Sequence, residues 1–145
     1  MQGFNDQSGN FVSADYICAM PLRKILLVDD DAAFHFLQKL VLNENNINCQ
    51  IDSVYDGYEA LRYMEDCNGS PDLILLDLNM PRWNGLDFLE SCLKCGHLPD
   101  YVKIFILTSS LLPEDKERAM AYNFVTGYLE KPLNKESIKE ILSHF

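Results

Sequence analysis

Basic residues are scarce in this chain. Twelve Lys and Arg stand against 22 Asp and Glu, for a formal net charge of −10 at pH 7. Nucleic acids and anionic membranes reward Lys and Arg, so the acid surplus argues against both and leaves a basic protein surface or a bound cation. Long apolar runs are missing too: nothing approaches the ~20 consecutive apolar residues of a bilayer-spanning helix. The N-terminus has neither the basic region nor the apolar stretch of a signal peptide. A disulfide framework is also lacking. The five cysteines, Cys18, Cys49, Cys67, Cys92 and Cys95, are odd in number and irregularly spaced, which fits reduced thiols in a cytoplasmic protein. Glycine and proline are few, at 7 and 6 of 145 residues, and no repeat or low-complexity segment is visible.

What is present is an alternation of apolar strands and amphipathic helices. KILLVD from Lys24 reads as a strand, and AAFHFLQKLVLNE as a helix with Phe34, Leu37, Leu40 and Val41 on one face. INCQIDSVY alternates through Ile47, Cys49 and Ile51 and, after a break, Val54, the pattern of a half-buried edge strand. DGYEALRYMEDC reads as a helix capped by Asp56, with Ala60, Leu61 and Met64 inward. PDLILLD and YVKIFILTS are continuous apolar runs, the signature of strands buried on both faces. Between them GLDFLESCLKC turns Leu86, Leu89 and Leu93 inward. PEDKERAMAYN begins on Pro113 and is expected to end with Asn123 in the left-handed region. TGYLEK is a short strand, and NKESIKEILSHF a last helix with Ile138, Ile141 and Leu142 inward. Five β/α units joined by short connections predict one α/β domain, a doubly wound five-stranded parallel sheet with helices on both faces. Residues 1–22, rich in Gly, Asn, Gln and Ser, read as an extension, and 23–145 as the domain.

In such a sheet, ligands bind outside the carboxyl ends of the strands. Those ends carry the chemistry here. The first strand delivers Asp29, Asp30 and Asp31, the third Asp77, the fourth Thr108, Ser109 and Ser110, and the fifth Lys131 before Pro132. Crowded carboxylates repel and raise one another's pKa, and a cation relieves them. Mg²⁺ suits such a set, because it is a hard ion that shares a few carboxylates with phosphate oxygens. Lys131 offers a point charge for a phosphoryl oxygen, Thr108 a hydroxyl donor, and Asp77 a carboxylate able to form an acyl phosphate. Phosphoryl transfer asks for little beyond such positioning and charge.

The segments KILLVDDD, ILLDLNMPRWNG, ILTSS and GYLEKP, in this order, resemble the receiver domain of two-component response regulators. The resemblance runs from Lys24 to about Phe145 and implies the flavodoxin-like strand order 2-1-3-4-5. It implies that Asp77 is the phosphoacceptor. Asp30 and Asp77 would hold Mg²⁺ or Mn²⁺ directly, with the backbone carbonyl of Asn79, and Asp29 through water. Thr108 and Tyr128 correspond to the switch pair, Lys131 to the phosphate-binding lysine, and Asn79 and Ser110 to two positions that tune phosphoryl lifetime. The Lys131–Pro132 bond is often cis in this family. The implied donor is a histidine kinase or histidine phosphotransfer protein. The output is an altered protein-binding face of the fourth helix, fifth strand and fifth helix, read by a partner the sequence does not name. Asn123 stands where the family usually has Gly.

Other readings compete. Asp31 can be no more than the cap of the first helix. The domain could be a constitutive interaction module that is not phosphorylated, although Asp30, Asp77, Thr108 and Lys131 together argue against that. It could be a small Mg²⁺-dependent phosphohydrolase, although no cap or lid segment is visible. CLKC, with Cys92 and Cys95 near His97, matches neither haem attachment nor a zinc site, so helix-end thiols are expected. His35 is expected on the helix surface or half-buried. The NGS sequon at Asn68 is expected to be idle.

Overall fold

Five short strands form one parallel sheet, and each is followed by a helix. A computed structural model describes residues 4–5, 11–12, 22–66, 70–96, 98–110 and 112–145. The elements are β1 (Lys24–Val28), α1 (Ala32–Glu44), β2 (Gln50–Val54), α2 (Gly57–Asp66), β3 (Leu73–Leu76), α3 (Gly85–Cys95), β4 (Lys103–Thr108), α4 (Pro113–Met120), β5 (Val125–Glu130) and α5 (Lys135–Leu142). The strands pair in parallel in the order β2-β1-β3-β4-β5, the doubly wound arrangement the alternation predicts. Within residues 1–22 a two-residue antiparallel ladder pairs Phe4–Asn5 with Phe11–Val12. The expected extension otherwise lies almost wholly outside the described residues, as do Cys18, Cys67, Asn68 and His97.

Alternation along the strands divides the core between the two faces of the sheet. Leu26, Val28, Ile74, Leu76, Ile104 and Ile106 pack with Ala60 of α2, Phe88, Leu89 and Cys92 of α3, and Ala119 of α4. Ile25, Leu27, Leu73, Leu75, Phe105 and Leu107 pack with Leu42 of α1 and Ile138 and Ile141 of α5. The central strand β3 is buried at every residue, whereas the edge strand β2 is half-buried. A central strand covered on both faces has no room for the polar-out alternation that an edge tolerates.

Several helices start as their sequences indicate. Asp31 caps α1 by accepting from Ala33 N and Phe34 N. Asp56 Oδ1 accepts from Glu59 N at 2.8 Å at the start of α2. Asn84 and Asp87 form a capping box on α3, and Pro113 opens α4 ahead of Glu114 and Asp115.

The inward faces are rotated from expectation in three helices. In α1, Leu37 and Leu40 are exposed, and His35, Gln38 and Leu42 are buried instead, with Phe34 and Val41 half-buried. In α3, Leu93 is exposed and Phe88, Leu89 and Cys92 are buried. In α5, Leu142 is exposed while Ile138 and Ile141 are buried. Each helix carries apolar residues around more than one side, so spacing alone does not select the face that meets the sheet. Asn123 does not end α4 in the left-handed region. That helix stops at Met120 with Ala121 right-handed, and among the described non-glycine residues Asn46, after α1, has the positive φ of 62°.

Candidate functional site

Strand register assembles the site. Val28 pairs with Leu76, so β1 and β3 release Asp29 and Asp77 side by side at their carboxyl ends. Asp77 N continues the ladder onto Val28 O at 2.9 Å, and Asp29 N onto Val54 O at 3.2 Å. Thr108 pairs with Glu130, so the next residue, Lys131, leaves β5 beside Thr108, whose carbonyl accepts from Lys131 N at 2.9 Å. The following Lys131–Pro132 bond is cis. After β3 the chain turns through Asn79 to Asn84 into α3, and Gly85 seats that helix against the end of β3. A Cβ at Gly85 would collide with the backbone oxygen of Asp77.

The acids converge. Carboxylate oxygens of Asp29, Asp30 and Asp77 all lie within 4.8 Å of one another; Asp29 and Asp77 are buried and Asp30 is exposed. The third consecutive acid, Asp31, is the α1 cap. Lys131 bridges the two buried carboxylates, with Nζ 2.5 Å from Asp29 Oδ2 and 3.2 Å from Asp77 Oδ2, and it lies 4.2 Å over the Phe34 ring. Asp29 Oδ1 accepts from Asp31 N at 2.9 Å. Asp77 Oδ1 accepts from Asn79 N at 3.3 Å. Both bonds to Asp77 are long for charged groups, so its oxygens keep lone pairs available.

Burial pushes Asp77 above the usual carboxylate range; the Lys131 ammonium opposes this, Asp29 adds to it, and the Asn79 N–H opposes it. Burial alone would lower Lys131, but its hydrogen bond to Asp29 and the charges of Asp77 and Asp29 outweigh that and raise it. The lysine is therefore a fixed positive charge at neutral pH. Three carboxylates share one spot with a single ammonium, an all-oxygen donor set of the kind that hard divalent cations take. The residues present fit a Mg²⁺ or Mn²⁺ ion.

A second layer runs away from the acids. Thr108 is fully buried, and its Oγ1 accepts from Ser110 N at 3.2 Å. Ser110 Oγ donates to Asp115 Oδ2 at 2.6 Å. The Tyr128 hydroxyl donates to Ser110 O at 3.3 Å, and Lys116 Nζ lies 5.8 Å from the Tyr128 ring centre. Ser110, Leu112, Pro113, Lys116, Tyr128 and Glu130 border a shallow cleft of about 380 Å³. The two residues expected to work as a switch pair are thus joined through Ser110.

The eight residues singled out from sequence fall into these two groups: Asp29, Asp30, Asp77, Asn79 and Lys131 at the acids, and Thr108, Ser110 and Tyr128 beyond them. Sequence reasoning missed His35. It is buried, not on the surface, and its Nε2 lies 2.7 Å from Asp29 O. Helical periodicity offers no sign of this, because the imidazole sits where an aliphatic residue is expected. Cys92 is buried, with its thiol pushed up to about 12 by burial and then by Cys95, which is exposed; both are free thiols.

The chain is similar to known proteins in both sequence and fold. The response regulator receiver domain, as a sequence family, matches residues 25–143. The transcriptional regulatory protein CpxR of Klebsiella pneumoniae is 32% identical over 117 residues, covering 81% of this chain but 46% of its own length. The probable methanogenesis regulatory protein FilR2 of Methanothrix harundinacea is 32% identical over 119 residues, covering 79% of this chain and 76% of its own. The chain thus spans under half the length of CpxR, and only 30% of a protein-glutamate methylesterase/protein-glutamine glutaminase of Pyrococcus horikoshii that it also matches. Among solved structures, a two-component response regulator from Cytophaga hutchinsonii superimposes with a TM-score of 0.78 at 26% identity, covering 86% of this chain and 96% of that one. The chemotaxis response regulator CheY4 of Vibrio cholerae gives 0.70 at 27% identity, covering 86% and 100%.

Proposed function

The chain belongs to the response regulator receiver domain family, and from that premise we propose that it is a phosphorylation-dependent signalling switch with Asp77 as its phosphoacceptor. The observation that carries this is the state of Asp77. It is 4% exposed, yet among the described residues it is held by two long hydrogen bonds, beside two more carboxylates and a shared lysine. A carboxylate retained for structure alone would have its oxygens fully satisfied.

A histidine kinase or histidine phosphotransfer protein is the proposed donor. An Asp77 oxygen forms a bond to phosphorus as the phosphorus–nitrogen bond of the donor phosphohistidine breaks, and the electron pair returns to the imidazole. Bound Mg²⁺ or Mn²⁺ would neutralise charge on the phosphoryl oxygens, held by Asp30, Asp77 and the Asn79 carbonyl, with Asp29 acting through water. Lys131 turns its ammonium from the carboxylates to a phosphoryl oxygen. Thr108 gives up Ser110 N and donates its hydroxyl to another, and Tyr128 follows. Asn79 and Ser110 flank the acyl phosphate and set how long it lasts. Repacking around Tyr128 changes the face of α4, β5 and α5, and a partner protein that binds one arrangement better shifts the population toward it. The receiver unit is taken as 23–145 in a cytoplasmic protein, with 1–22 an extension. Removal of residues before Met20 is expected to leave folding intact.

The test is intact mass after incubation with a small phosphodonor and Mg²⁺. A single phosphoryl adduct that disappears with EDTA and in Asp77→Asn is expected. No adduct, together with no binding of beryllofluoride, would sink this reading in favour of a constitutive interaction module. Turnover of a generic phosphoester would point to a hydrolase instead.

A further inference from the structure

His35 is 3% exposed and projects from the first turn of α1 toward the ends of β1 and β2. Its Nε2 lies 2.7 Å from Asp29 O and 3.1 Å from Val54 O. Both partners are carbonyls and only accept, so the hydrogen resides on Nε2 and is shared between them. The ring stands edge-on to Tyr55, centroids 5.0 Å apart at 86°. Nδ1 is buried without a hydrogen-bond partner among the described residues. An unsatisfied buried nitrogen carries a desolvation cost that a leucine in the same place would avoid. Packing therefore does not explain the imidazole; the donor at Nε2 does.

That donor acts on one peptide. Asp29 is held at its carboxylate by Asp31 N and Lys131 and at its carbonyl by His35. The Asp29 carbonyl belongs to the planar Asp29–Asp30 peptide. Fixing where its oxygen points fixes the direction in which the chain leaves toward Asp30, the exposed member of the acidic cluster. We propose that His35 is a positioning residue for the acidic pair: by clamping the Asp29–Asp30 peptide it sets the affinity of the cluster for a divalent cation. This rests on the reading of Asp29, Asp30 and Asp77 as a cation site. Outer partners that orient ligands change metal affinity in the same manner elsewhere.

The experiment is calorimetric titration of the full chain with Mg²⁺, for wild type, His35→Leu and His35→Gln, below the melting temperature of each. The amide of Gln can bring a donor near the same carbonyls; Leu cannot. The Leu variant is expected to bind about tenfold more weakly and the Gln variant within about twofold of wild type. A Leu variant that melts earlier but binds Mg²⁺ as tightly as wild type, or a Gln variant as weak as Leu, would overturn the proposal. Wild type that binds no Mg²⁺ would overturn the cation site itself, a result separable from the first two. If the Leu variant does not fold, ¹⁵N imidazole spectra of wild type decide. A slowly exchanging Nε2 proton, assigned by its loss in His35→Gln and shifted by Mg²⁺, is expected. A freely exchanging proton, or one indifferent to Mg²⁺, overturns the proposal.

Discussion

Asp56 and Asp77 are both 4% exposed, both follow a strand at its carboxyl end, and both face a cation. Their hydrogen bonds separate them. Asp56 Oδ1 accepts from Glu59 N at 2.8 Å and Oδ2 meets Arg82 at 2.7 Å. The β3–α3 loop closes over this corner, with Gly57 N donating to Trp83 O at 2.7 Å. Asp77 has contacts of 3.3 and 3.2 Å, and its lysine is shared with Asp29. Equal burial therefore carries opposite meanings. A carboxylate whose oxygens are met by short bonds starts a helix and ties down a loop. One left under-satisfied among other acids keeps lone pairs available, as the proposed phosphoacceptor requires. Burial alone does not mark the site; the lengths of the hydrogen bonds do.

The contrast breaks if the two aspartates respond alike to substitution. The largest expected effect is complete loss of the phosphoryl adduct in Asp77→Asn, while Asp56→Asn retains it at the wild-type rate by intact mass. Next come the two cations. Lys131→Met is expected to slow phosphoryl incorporation by about 10²-fold, as for loss of one donor to developing charge, and Arg82→Met to leave it unchanged.

Stability should divide them in the reverse sense. Asp56→Ala removes a helix cap and is expected to cost about 1–2 kcal/mol in urea unfolding. Asp77→Asn is expected to stabilise the metal-free protein at neutral pH, because it removes a charge that the fold disfavours.

The smallest effect is the pH dependence of that gain. Burial raises Asp77 in the folded state, so the folded protein holds this proton more tightly than the unfolded chain does. The corresponding stability is fully present below the unfolded carboxylate value of about 3.9 and is lost as pH rises through the folded value. The advantage of Asp77→Asn over wild type should thus shrink as pH falls from about 7 toward about 4. A pH-independent difference would show that Asp77 is not held above its ordinary range.

Legibility differed by element. The runs LILL and KIFILT could be read as buried strands because four consecutive apolar residues leave no solvent face. Asp29, Asp30, Asp77 and Lys131 could be read because each sits where a strand stops. The faces of α1, α3 and α5 were not legible in full. Phe34, Phe36, Leu37, Leu40, Val41 and Leu42 surround α1, and only the position of the sheet leaves Phe36, Leu37 and Leu40 outside. His35 was misplaced for a related reason: its burial depends on two strand-end carbonyls from β1 and β2, and no local pattern reports where those point.

By itself the sequence determined the five strand–helix units, the N-caps of α1 and α2, and the delivery of acids and a lysine to strand ends, because propensity, periodicity and capping act over a few residues. Tertiary structure decided the rest. It set the order that lays β1 beside β3, the register that releases Asp29 and Asp77 together, and the approach of Lys131 to within 3.2 Å of Asp77 across 54 residues. It also turned His35 beneath Asp29. These contacts join segments far apart in the chain, and their geometry exists only once the sheet has closed over both halves of its core.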